Sequence, residues 1–154
     1  QVEALLRAAE LASGRTDLGF ELGRRLNPTS HDTLGFALLT CPTIGHVLRL
    51  MASYQRLIQP AFALRVQRRG SRVDLVYLPV VALQHRSMRM FQEAITASNH
   101  FAFQSMLHGD LPPYDVWLSI DRPPHAGRYE ELSRARVHFG DAAPGVRMSL
   151  DAAI

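Results

Sequence analysis

The sequence predicts an α+β domain in which N-terminal helices and one long central helix pack on a mainly antiparallel sheet of about four to five strands. Three observations predict it. Apolar residues recur at three-and-four spacing through residue 58. Beyond Pro60 the period switches to two, the mark of half-buried strands. Between residues 84 and 108 the helical period returns with apolar side chains on two sides, so that helix should be covered both by the sheet and by the N-terminal helices.

Val2, Leu5, Leu6, Ala9 and Ala12 mark the first helical face, and Gly14 is its expected stop. Leu18, Leu22 and Leu26 repeat every four residues in a second, short helix opened by Thr16-Asp17 and ended by Asn27-Pro28. Ser30-His31-Asp32 cap a brief helix over Leu34 to Leu39. Thr43 is the N-cap of the helix on which the chain is organised. There Ile44, Val47, Leu48, Met51, Tyr54 and Ile58 form one apolar face, and the helix stops before Pro60.

Phe62, Leu64 and Val66, then Val73, Leu75 and Tyr77, alternate with other residues on either side of Arg69-Gly70-Ser71 and predict a β-hairpin over residues 61–79. In the long helix, Met88, Phe91, Ile95, Ala102 and Met106 occupy one side and Met90, Ala94, Ala97 and Phe101 another. Gly109 and Pro112-Pro113 break it. Val116, Leu118 and Ile120 predict a third strand, Tyr129 and Leu132 a short helix, Val137 and Phe139 a strand, and Val146, Met148 and Leu150 a last one.

At 154 residues and 47% hydrophobic content the chain suits one domain over 1–154 with a real core. No apolar run is long enough to cross a bilayer, and the start reads as an amphipathic helix rather than a signal peptide; a cytoplasmic protein without membrane contact is expected. The single cysteine, Cys41, excludes an intrachain disulfide and reads as a small buried side chain. The chain begins at Gln1 without an initiator Met, as a piece of a longer protein would. Net charge is +3 and every basic residue is arginine, spread among acids except for Arg65, Arg68, Arg69 and Arg72 around the hairpin turn. A solvated turn accounts for those four better than a nucleic-acid footprint.

Catalytic signatures are missing from the sequence. The seven histidines include no metal-ligand spacing, and no nucleophile elbow, phosphate loop or dinucleotide fingerprint occurs. No catalytic residue, metal or cofactor is expected, and the chain is not read as an enzyme.

The segments Asp17-Leu-Gly-Phe-Glu-Leu-Gly23, Leu34-Gly-Phe-Ala37 and Cys41-Pro42-Thr43-Ile44, followed by a helix ending in Ala52-Ser53-Tyr54, together with Tyr129, Val137-His-Phe-Gly140 and Leu150-Asp151, occur in a shared order over nearly the whole chain. In that order they resemble the N-terminal effector-binding ("arabinose-binding-like") domain of AraC-type transcriptional regulators. One departure is at Asp121-Arg122-Pro123-Pro124, where the family usually has His before a Pro-x-Pro element and where His125 here follows. The resemblance implies a ligand-sensing domain of a bacterial regulator, a small organic effector, a homodimer, and operator DNA contacted only through a C-terminal helix-turn-helix domain that this chain lacks. It implies no sugar: the arabinose regulator itself uses a β-barrel, and this chain has too few strands for one.

The effector pocket is expected between the central helix, the hairpin and the long helix, where aromatic residues with polar tips gather. Tyr54, Phe62, Tyr77, Phe91, Ile95 and Trp117 would form its walls. Polar selection would come from Tyr54, Tyr77, Asn99, or His85 and Arg86 at the mouth, where an arginine suits a carboxylate. The long helix, with apolar surface beyond what one sheet needs, is the expected dimer contact. Two rival readings stand beside this one: a structural dimerisation module without ligand, and a small enzyme.

Overall fold

The computed structural model describes residues 1–109 and 111–149, and its elements follow the predicted order. Leu150 and Asp151, assigned above to the last strand and to a family motif, lie outside the described residues. The helices are α1 (Val2–Ser13), α2 (Leu18–Arg25), α3 (Asp32–Leu39), α4 (Ile44–Ile58) and α5 (His85–Met106). The strands are β1 (Phe62–Arg69), β2 (Arg72–Pro79), β3 (Tyr114–Leu118), β4 (Ala135–Phe139) and β5 (Gly145–Ser149). They form one sheet in the order β1-β2-β5-β3-β4, antiparallel except where β3 meets β4. The architecture is α+β.

Local chemistry explains the element ends. Thr43 is extended, and its hydroxyl accepts from the His46 amide at 3.3 Å, so α4 starts where the sequence placed its cap. The hairpin closes on Gly70-Ser71 with Arg69 opposite Arg72, and Gly70 takes the φ of +62° that such a tight turn demands. Within the strands, Val73, Leu75, Tyr77, Tyr114, Val116, Leu118, Val146 and Met148 are buried, all on the parity that faces the helices.

α5 lies across that face and is tied to it by polar bonds. The Gln92 side chain donates to Ser119 Oγ at 2.7 Å and accepts from the Ser119 amide at 2.9 Å. His100 Nδ1 meets the Tyr114 hydroxyl at 2.6 Å, and Asn99 donates to the Tyr77 hydroxyl at 2.5 Å. The start of α5 is capped from another element: the Glu3 carboxylate of α1 accepts from the Ser87 amide at 3.1 Å and the Ser87 hydroxyl at 2.6 Å, which holds its carboxyl below the usual range. Arg86 then binds Glu10 at 2.7 Å, so α1 is fixed alongside.

Four expectations need correction. α2 does not bury Leu18, Leu22 and Leu26; it buries Gly19, Phe20 and Gly23, because the two glycines let its backbone rest directly on α5. On α4 the core position is Gln55 rather than Tyr54, which is 45% exposed; a stripe through Val47, Leu48, Met51 and Ile58 takes residue 55 one turn after Met51. Cys41 is half-buried, its thiol 3.2 Å from the Ala37 carbonyl oxygen. Finally, the apolar surface of α5 beyond the sheet is not left over for another contact among the described residues, since α2 and α1 cover it as its two-sided spacing predicted. The exposed large apolar side chains lie elsewhere, among them Phe36 of α3 and Leu57 of α4.

A Cβ on Gly23 would stand 2.3 Å from the Ala94 carbonyl oxygen and 2.8 Å from the Ala97 Cβ. Gly23→Ala should therefore cost about 3 kcal/mol, a Tm fall of roughly 6–12 °C, by forcing the helices apart. Gly45→Ala, where the nearest atom to a new Cβ is 3.7 Å away, should be neutral or gain up to about 1 kcal/mol. Chemical denaturation of the two variants checks the contrast.

Candidate functional site

Between α2, α4 and α5 the packing leaves a cavity of about 140 Å³. Its floor is Tyr77 of β2. α5 supplies the longest wall, from Phe91 through Ile95 and Asn99 to Met106, and α4 supplies Met51, Gln55 and Ile58. Leu22 and Leu26, the residues α2 turns away from its glycine contact, form the roof. The size is close to that of an apolar cavity of about 150 Å³ that holds benzene.

Among the described residues the polar groups in this lining, Asn27, Gln55, Gln59, Tyr77, Ser98 and Asn99, are all uncharged. The Tyr77 hydroxyl accepts from Asn99 Nδ2 at 2.5 Å, which leaves its own proton available to donate. Burial pushes that hydroxyl up to about 12, so it stays protonated. Gln55 is 4% exposed and makes no side-chain hydrogen bond to any described residue. Its carboxamide contrasts with that of Gln92, at a similarly buried position, which donates to the Ser119 hydroxyl and accepts from the Ser119 amide.

The structure brings together Tyr77, Phe91, Ile95 and Asn99 of the sequence-derived set. It places the other five away from this cavity. Tyr54 points outward from α4, and Phe62, though fully buried, belongs to the core beside the cavity rather than to its lining. His85 and Arg86 open α5, about 20 Å along the axis from Asn99 at 1.5 Å per residue, and Arg86 is occupied by Glu3 and Glu10. Trp117 is on the opposite face of the sheet, because Val116 and Leu118 on either side of it face the helices. There it stacks on His138 at 5.9 Å, with the Arg147 guanidinium 4.8 Å from its ring centroid. A recess of about 240 Å³ beside Trp117 is open; of its charged lining residues Arg147 and Asp74 pair at 2.6 Å, and Asp141 is the third.

Gln55, Leu22 and Leu26 were not among the expected pocket residues. The signal for Gln55 was a carboxamide at a core position of an otherwise apolar stripe.

On the other side of α2 a buried polar chain anchors the same helices. Glu93, wholly buried on α5, accepts from the Tyr129 hydroxyl at 3.1 Å and meets His125 Nε2 at 2.6 Å, while His125 Nδ1 meets the Thr16 hydroxyl at 2.9 Å. His125, the residue displaced relative to the family pattern, therefore touches Glu93 and not the cavity. Arg128 reaches Asp17 at 2.5 Å and Glu21 at 3.2 Å and covers the Phe20 ring at 5.1 Å. Asp17 is held at about 2, first by its hydrogen bonds from Arg15, and Glu21 at about 2, first by Arg25 and then Arg128.

An α+β sheet domain with its helices on one face and an uncharged cavity beneath them is the class of protein these observations define. Residues 1–153 match the arabinose-binding domain of AraC transcription regulator, N-term, and the chain belongs to that family. It is 28% identical over 137 residues to the ornithine utilization regulator of Pseudomonas aeruginosa, covering 88% of this chain and 40% of that protein. The crystal structure of the transcriptional regulator CdpR from Pseudomonas aeruginosa superposes with a TM-score of 0.78 at 20% identity, over 99% of this chain and 49% of that one, which shows a shared fold. The chain spans less than half the length of either relative.

Burial raises the Glu93 carboxyl above its ordinary value, outweighing the opposing pull of His125, Tyr129 and Arg89. A folded-state pKa above the unfolded one means stability that is complete below about 4.5 and is lost as pH rises through the folded value. Glu93→Gln should remove that slope, which urea denaturation measured from pH 4 upward would show as a flatter profile.

Proposed function

We propose that this chain is the ligand-sensing domain of an AraC-type bacterial transcriptional regulator, with a small organic effector held in the cavity between α2, α4 and α5. The observation that carries the proposal is the cavity itself: about 140 Å³ of largely apolar space with the Gln55 carboxamide and the Tyr77–Asn99 pair in its wall, which suits a small molecule with an apolar body and a polar group. Family membership and two regulator relatives support the same reading. The effector would act through different affinities for two arrangements of α2 over α5, changing what the domain presents to the rest of the regulator.

On this reading the domain binds and does not catalyse, and the protein works in the cytoplasm. Operator DNA is contacted through a further domain of the whole protein, as the greater length of the relatives supports. Homodimerisation completes the reading, because regulators that read two-fold operators are usually C2 dimers. The apolar side chains left exposed on α3 and α4, Phe36 and Leu57, are better placed for that contact than the covered α5.

A thermal-shift panel of amino acids including ornithine, sugars, fatty acids and aromatic compounds tests the sensor. A true effector at 100 times its Kd stabilises the fold by about 2.7 kcal/mol. Ala102→Phe, which fills the cavity from α5, should abolish that shift while the domain stays folded. A shift that survives in Ala102→Phe would place the effector elsewhere.

A further inference from the structure

Taking the cavity as the effector site, its chemistry narrows what it accepts. Among the described residues no lining side chain is an Asp, Glu, Arg or His. On α2, Arg24 and Arg25 pair with Glu21, on α5 Arg86 and Arg89 pair with Glu10, and Arg49 and Arg56 of α4 are exposed and do not line the cavity. A carboxylate held in this space would lose hydration and meet no cation among the described lining residues, and an ammonium would meet no carboxylate there. What the walls do offer is neutral hydrogen bonding: the Gln55 carboxamide from α4, able to donate and accept, and the Tyr77 hydroxyl from β2, oriented by Asn99 of α5, with Asn27, Gln59 and Ser98 also in the lining.

We infer that the effector is an uncharged molecule with an apolar body of about ring size and a neutral donor–acceptor group, such as a carboxamide, lactam or hydroxylated ketone. The apolar body lies against Met51, Ile58, Ile95 and Met106, and the polar group bridges Gln55 and Tyr77. Specificity follows from pairing: a molecule lacking the polar group leaves Gln55 unsatisfied, and a charged one leaves its own charge unsatisfied.

Titration of the domain with benzamide, benzoate, benzylamine and toluene, followed by ligand-observed NMR, tests the inference. Benzamide should bind at least about 10-fold more tightly than benzoate or benzylammonium, the factor expected for one uncompensated polar group or more. Gln55→Leu should weaken benzamide by about 5–10-fold while toluene binds as well or better. Benzoate or benzylammonium binding as tightly as benzamide would overturn it, as would toluene binding without benzamide binding, or an unchanged benzamide affinity in Gln55→Leu. Ala102→Phe and Ser98→Leu, two independent ways of filling the cavity, should remove toluene and benzamide alike. Should toluene fail to bind the unmodified domain, or bind both filled variants unchanged, the effector-site reading itself falls, and this inference with it.

Discussion

Gly19 and Gly23 bring the backbone of α2 onto that of α5, where a Cβ would meet the Met90 carbonyl oxygen at 2.5 Å and the Ala94 carbonyl oxygen at 2.3 Å. That approach fixes more than two helices. It drives Phe20 into full burial beneath Arg128 and against the Tyr129 ring, and it brings Asp17 and Glu21 within reach of the Arg128 guanidinium. Because α2 turns its glycine side down, Leu22 and Leu26 are carried over α4 and close the cavity from above. A wider spacing would lift the roof and detach the ion pairs together.

Buried polar groups divide the helical layer into two regions with different roles. Toward the sheet, Gln92 bonds to Ser119 and His100 Nδ1 to the Tyr114 hydroxyl, so those contacts fix α5 in register on β3 and the segment after it, while His100 Nε2 is buried without a hydrogen-bond partner among the described residues. Toward α4, Gln55 is buried without such an arrangement, beside the Tyr77–Asn99 pair. The glutamate–histidine chain from Glu93 to Thr16 lies on the far side of α2 and holds that helix to the 3-10 turn Ala126–Glu131, out of contact with the cavity.

Periodicity made the elements legible: the shift from helical to alternating spacing at Pro60 marks the passage from α4 to the hairpin, and Thr43 marks the start of α4 by its chemistry. Part of the cavity lining was within reach for the same reason, since Phe91, Ile95 and Asn99 share one face of a long, regular helix. Tyr54 and Gln55 differ by 100° of helix phase, and choosing the aromatic over the amide put the wrong residue inside. Trp117 was misplaced even though its parity against Val116 and Leu118 was visible in the sequence. The glycine contact itself left no apolar signal, because its energetics lie in what Gly19 and Gly23 lack.

Trp117 is the single tryptophan of the chain, and the sheet separates it from the cavity. Its indole is sandwiched between the Arg147 guanidinium and the His138 ring, on strands β5 and β4. Intrinsic fluorescence therefore reports the state of the outer sheet face and is optically blind to what occupies the helical side. An emission change on adding a ligand would signal distortion transmitted through β3, whereas a silent tryptophan is compatible with a filled cavity.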